Sequence, residues 1–197
     1  PFVGSWRGCT VVCLASGPSL TTDDIETVKA WRQGSKDRRV IVTNTTFKSA
    51  PWADALFAMD LCWWDVYATD ARKEFGGQLH TSCASAGKKH GITSIVVDGK
   101  AMKPYANSGA GAINLARYAG ADHVILLGYD CQHTGGKAHH HGDHPKRLGN
   151  AARPDAWVRN FELLAVDLNG LPVINATRET ALTCFPRMLL EDALCSR

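Results

Sequence analysis

The chain has no apolar run long enough to cross a membrane. Its longest runs, such as Val124 to Leu127 and Ile95 to Val97, fall far short of the roughly 20 residues a spanning helix needs. Pro1 to Arg7 contains no basic region followed by an apolar stretch, so no targeting segment is expected. An initiator Met is also absent, which points to a trimmed or excised chain. The seven cysteines form no CxxC pair, and their odd count speaks against a closed disulfide framework. Reduced thiols and a cytoplasmic location are the expectation. Neither sign of charge is in excess: 22 Lys and Arg stand against 19 Asp and Glu, which excludes a surface built to coat nucleic acid. No internal repeat, low-complexity linker or second domain boundary interrupts the 197 residues. One core accommodates that length, and residues 1–197 are read as a single domain.

What is present is a set of short, nearly uniform apolar runs alternating with helical spacings. Thr10 to Ala15, Arg39 to Thr43, Asp54 to Met59, Ile92 to Val97, His123 to Leu127 and Pro172 to Asn175 read as buried strands, with a weaker one at Gly77 to Ser82. Helices are expected from a start capped by Thr22 with Glu26 near the return position, over Leu61 to Phe75, and from Asn107 through Tyr118 to a terminating Gly120. Two more are expected from Pro154, with Trp157, Phe161, Leu164 and Leu168 on one stripe, and around Met188 to Leu194. Continuously apolar strands alternating with helices predict a mostly parallel α/β sheet with helices on both faces, Rossmann-like in class.

Ligands of such sheets bind outside the carboxyl ends of the strands, and the polar clusters here each follow a strand. Ser16-Gly17-Pro18-Ser19 joins a strand to a helix, where glycine allows close backbone approach and a helix start offers N–H groups to a phosphate. An ordinary turn fits the residues equally. The sequence matches neither Walker A nor GxGxxG. Asn107-Ser108-Gly109-Ala110-Gly111 repeats the arrangement, with close helix–sheet packing as its bland counterpart. Asn44, Asp60 and Asp130 are placed to hold ribose or acceptor hydroxyls; a strand-end Asp also serves as a turn former. Trp63 and Trp64 are stacking candidates or simply core.

The most unusual stretch runs from Cys131 to Arg153. It carries five of the eight histidines and, from Lys137, Lys146, Arg147 and Arg153 against Asp143, a net charge of +3. A loop of this length in a compact domain is functional or disordered. Imidazole invites a metal, but adjacent histidines rarely point the same way, and HEXXH is absent. A solvated loop and direct substrate or phosphate contact are the two leading readings, ahead of a metal. His141 and His144 are the candidate general bases, suited by a pKa near neutrality, and Lys146 and Arg147 neutralise a departing phosphate.

Taken in order, the strand into Gly17-Pro18-Ser19-Leu20, the strand into Asn44, Ser108-Gly109 opening a helix, ILLGYD at 125 to 130 and the histidine loop resemble family 42 sialyltransferases. They also resemble the related 6-hydroxymethylpterin pyrophosphokinase-like and motility accessory factor-related families, and look most like small phage-associated members of that group. The resemblance implies a metal-independent glycosyltransferase-like enzyme. It implies a nucleotide-sugar co-substrate held by Ser16, Gly17, Pro18, Ser19, Asn44, Asp60, Ser108 and Gly109, with Asp130 and a histidine after the GYD strand in the catalytic group. Ser16 stands where those enzymes have Asn, and Cys131-Gln132-His133 where they have tyrosines, so the nucleotide site carries over better than the donor. A pyrophosphokinase-like enzyme with Mg on Asp60 and Asp130 is the alternative, and a non-catalytic nucleotide-binding protein the third reading. The acceptor and the oligomeric state, a homo-oligomer included, stay open.

Overall fold

The computed structural model describes residues 2–142, 145, 148 and 154–196, with the backbone alone at 154 and 155. Seven strands form one parallel sheet: β1 (Thr10–Leu14), β2 (Arg38–Thr43), β3 (Ala55–Phe57), β4 (Gln78–Thr81), β5 (Thr93–Ser94), β8 (His123–Leu127) and β9 (Val173–Asn175). Their spatial order is β5-β4-β3-β2-β1-β8-β9. The chain therefore steps outward from β1 to β5, then returns to lay β8 against the other side of β1. In the register, Thr10 of β1 lies beside Arg38 of β2 and His123 of β8. This reversal of direction is the topological switch point at which open α/β sheets bind ligands.

The strands are apolar throughout because both faces are covered. Val11, Cys13, Val124 and Leu126 pack with residues of helices α4 (Ser108–Ala119) and α5 (Pro154–Asp167) on one side. Val12, Leu14, Ile125 and Leu127 pack on the other with α1 (Thr22–Gln33), α2 (Leu61–Glu74) and α6 (Leu190–Cys195). Helix α4 lies so close to the sheet that a Cβ at Gly111 would stand 2.3 Å from the Phe57 ring, so that glycine serves packing.

Several local expectations are corrected. Helix α1 is capped one residue earlier than Thr22: Thr21 Oγ1 accepts from Asp24 N–H and the Asp24 carboxylate accepts from Thr21 N–H. A capping box needs a three-residue interval, which Thr21–Asp24 has and Thr22–Glu26 lacks. Arg178 holds the same Asp24 with two hydrogen bonds. Ile92 to Val97 is not one strand: after β5, the chain turns off the sheet into a hairpin of β6 (Val96–Val97) and β7 (Lys100–Ala101). A short helix α3 (Ala84–His90) and a 3-10 turn (Asn44–Lys48) were not expected. Trp64 is fully buried, with Nε1 donating to Ala58 O, and is core. No helix among the described residues is long and apolar enough to cross a membrane.

Candidate functional site at the switch point

The segments that follow β1, β2, β3 and β8 meet the start of α4 around a cavity of about 290 Å³, at the small end of ligand pockets. Ser16, Gly17 and Pro18 border it from β1, Asn44 from β2, Asp60 from β3, Ser108 and Gly109 from α4, and Asp130 from β8. Ser19 does not line it; it sits behind, against Asp130. Lys146, Arg147 and His144 fall outside the described residues.

On the β1–β8 side the polar groups are engaged with one another. Asp130, buried, accepts from Ser19 N–H at 2.9 Å, from Ser19 Oγ at 2.8 Å and from Thr134 Oγ1 at 2.9 Å. Burial raises its pKa, and those hydrogen bonds only partly oppose the shift. Gly17 N–H donates to Gly128 O at 2.8 Å. A Cβ on Gly17 would lie 2.1 Å from Asp130 Oδ1 and 2.4 Å from Gly128 O. Glycine is therefore required by this packing of the chain on itself. With Pro18 lacking an N–H and the Gly17 and Ser19 N–H groups spent internally, Gly17 to Ser19 offer a phosphate no backbone cradle. At α4, Asn107 Oδ1 accepts from Gly109 N–H and Ala110 N–H, so that second turn is largely self-satisfied as well.

The β2–β3 side differs. Asn44 takes a left-handed conformation, φ 48°, and its Oδ1 is buried with no hydrogen bond among the described residues. Such a group costs free energy unless a ligand or water completes it. Asp60 occupies the cap position of α2 without making a side-chain cap bond. Its residue is exposed, yet desolvation at the cavity raises its pKa. Ser108 Oγ accepts from Met59 N–H at 3.2 Å, which leaves the hydroxyl proton to donate. Beside these polar groups, Trp63, Trp157 and Phe161 give the cavity aromatic walls. Left-handed conformations also occur at Tyr105, Ala106 and Cys131, and Ala106 and Cys131 reach the cavity.

The histidine loop folds back over this edge. It begins with a tight hairpin in which Thr134 and Lys137 exchange backbone hydrogen bonds around Gly135-Gly136, both at positive φ. Its histidines then alternate. His139 Nδ1 pairs with Ser16 Oγ at 3.1 Å and borders the cavity. His140 turns away, its Nε2 3.2 Å from Ser49 Oγ and its N–H donating to Ser16 O. His141 stacks on His139 with ring centroids 5.3 Å apart. Of the run, His139 is thus the ring at the cavity wall, with His141 behind it. Of the two histidines expected from the sequence, His141 stacks on His139 and His144 lies outside the described residues; the contact that brings His139 to the wall is with Ser16, 123 positions away. Asn107, Trp157 and Phe161 were also missed as lining residues.

The described residues do not form a ready-made all-protein metal cage. His139 and His140 diverge, Asp130 already accepts three hydrogen bonds, and no group of three potential metal ligands occurs among the described residues. Nor does any Lys or Arg among them line the cavity.

The fold is shared with two solved glycosyltransferases. No family profile and no curated protein matches its sequence. Among solved structures, it resembles the MAf glycosyltransferase of Magnetospirillum magneticum AMB-1 with a TM-score of 0.66 and 12% identity, over 94% of this chain and 34% of that one. It also resembles the sialyltransferase CstII of Campylobacter jejuni, solved with the substrate analogue CMP-3FNeuAc, with a TM-score of 0.54 and 14% identity, over 91% of this chain and 86% of that one. The chain spans about a third of the first of these proteins. At these identities the likeness establishes the fold.

Proposed function

We propose that the chain is a glycosyltransferase-like enzyme that binds a nucleotide-activated sugar in the switch-point cavity and transfers the sugar without a metal. The observation that carries this reading is the contrast within the cavity. Amid a fully engaged β1–β8 side, Asn44 Oδ1, the Asp60 carboxylate and the Ser108 hydroxyl proton are left to recognise a ligand rich in hydroxyls or amino groups, as a nucleoside is. The aromatic walls suit its flat and sugar faces, and two structural neighbours are glycosyltransferases.

In this reading the acceptor hydroxyl loses its proton to a neutral imidazole. His139 is the ring at the cavity wall; with Nδ1 on Ser16 Oγ, the proton goes to Nε2, which is buried before binding and meets the acceptor only as the loop shifts on binding. The glycosidic bond to the leaving phosphate breaks as the acceptor oxygen attacks the anomeric carbon. Because most backbone N–H groups of the two glycine turns are spent, neutralising the departing phosphate falls mainly to side chains, for which Lys146 and Arg147 are the candidates. Asp130 is assigned to holding the loop and the Gly17 turn together, in place of catalysis.

A thermal-shift screen with CMP, UDP, GDP, ADP and their sugar conjugates, each with and without chelator, tests the reading. A shift of the unfolding midpoint with one nucleotide that persists in chelator, and product formation lost in His139→Ala with nucleotide affinity kept, is the expected outcome. Chelator-sensitive binding would favour the magnesium-dependent pyrophosphokinase-like alternative, and binding without product a non-catalytic nucleotide-binding protein.

A further inference from the structure

Side-chain hydrogen bonds tie the described part of the histidine loop to Asp130, Ser16 and Ser49 at the sheet edge, and the last of these lies outside the cavity. Thr134 bonds Asp130 at the start of the loop, and Ser16 receives His139. The third tie is Ser49, which caps the 3-10 turn that begins at Asn44: its N–H donates to Thr46 O and its hydroxyl meets His140. Ser49 does not border the cavity. Through this contact one short segment holds both Asn44, on the β2 side, and the backbone that presents His139, on the β1 side.

We propose that Ser49 is a positioning residue: by holding the His140 ring it fixes the histidine loop across the carboxyl ends of β1 and β2 and so sets His139 against Ser16 at the cavity wall. His139 and His140 open a turn that Gly142 N–H closes on His139 O, and their rings leave it toward different partners, Ser16 and Ser49, so holding His140 on Ser49 fixes the turn with His139 on Ser16. The inference rests on the reading of the cavity as a nucleotide site only for its functional consequence; the latch itself is a statement about the loop.

The His140 ring reports on the latch. Its Nδ1 is buried with no hydrogen bond among the described residues, and burial holds its pKa below the usual value against the opposing influence of its backbone bond to Ser16. The neighbouring titratable groups are His139 and His141 on its own loop and Lys48 beside Ser49, the last paired with Asp70 at 3.1 Å; Ala15 to Ser19 bring no charge. A closed loop therefore holds the His140 titration below its usual range, and an open loop moves it back up.

The test compares the full chain with Ser49→Ala and Ser49→Thr. The readouts are ring-nitrogen NMR titration of His140, assigned with His140→Gln, amide exchange at residues 138–142, and calorimetric affinity for CMP and UDP. Losing one hydrogen bond of ordinary worth is expected to speed exchange about tenfold in Ser49→Ala. The His140 titration should move up toward its usual value and the nucleotide dissociation constant should rise about three- to tenfold. Ser49→Thr should restore all three. Unchanged exchange and titration in Ser49→Ala would overturn the latch. Should Ser49→Ala not fold, His140→Phe breaks the contact from the other side with the same expected exchange. If neither CMP nor UDP binds the parent chain, the nucleotide reading loses its support while exchange and titration still decide the latch.

Discussion

The two sides of the cavity carry the same kinds of polar residue in opposite states. Along β1 and β8, Asp130, Ser19 and Thr134 satisfy one another and Gly17 N–H is spent on Gly128 O. Along β2 and β3, Asn44 and Asp60 are left with unspent acceptors. A polar residue at a strand end is thus not by itself a binding residue. The distinction lies in whether its hydrogen-bonding capacity is consumed within the chain, because a consumed group stabilises the fold and an unconsumed one lowers its free energy only when something binds.

This contrast is broken most forcefully at Gly17. Gly17→Ala should cost about 3 kcal/mol or more, since overpacking here is against backbone and a buried carboxylate; a denaturant titration of the variant measures it, and a small loss would show that the β1–β8 side is softer than its geometry. Second in size is an acid limb from the interior. His80 on β4 is buried, and burial pulls its pKa from 6.5 down to about 4. Because the folded-state value is depressed, the stability it supports is complete above pH 6.5 and declines as pH falls toward 4. At 1.36 kcal/mol per unit the loss reaches about 3 kcal/mol. His80→Gln should flatten the stability profile between those pH values without altering nucleotide binding.

Asp130→Asn comes third. The amide presents a donor to groups that already donate, so about 1–3 kcal/mol of stability should be lost, with nucleotide affinity falling only as the fold loosens. Smallest in stability is Asn44→Gly, which keeps the left-handed backbone accessible and removes the side chain. Stability should change by less than about 1 kcal/mol, while affinity for the best nucleotide of the panel drops about tenfold by calorimetry. If instead Asp130→Asn destroyed affinity at full stability and Asn44→Gly left affinity intact, the roles of the two sides would be reversed.

Much of the fold is legible in the sequence because β1, β2, β8 and α4 are long and regular enough for their periodicity to show. What escaped had weak or contradictory local signals. Helix α3, ASAGKKH, buries only Ala86 and Gly87, so it displays no apolar stripe. The β6–β7 hairpin did have a signal: Asp98-Gly99, both at positive φ, is the tight-turn pair that hairpins favour, and it was masked by the apolar run before it. At the site, residue types and strand-end positions were readable. The engagement of Asp130 and the selection of His139 were not, because Ser19 and Ser16 are more than 100 positions distant from their partners.

The left-handed residues at the cavity rim carry a consequence for how this fold can change. Asn44, Ala106 and Cys131 each sit in a conformation that costs a side-chain-bearing residue on the order of 1 kcal/mol. Glycine, which elsewhere weakens a protein, would relieve that cost at these three places. At the rim, therefore, substitution by glycine, and by no other residue, removes a side chain from the cavity wall while relieving backbone strain, so that the cavity can be widened there without touching the sheet and its helices.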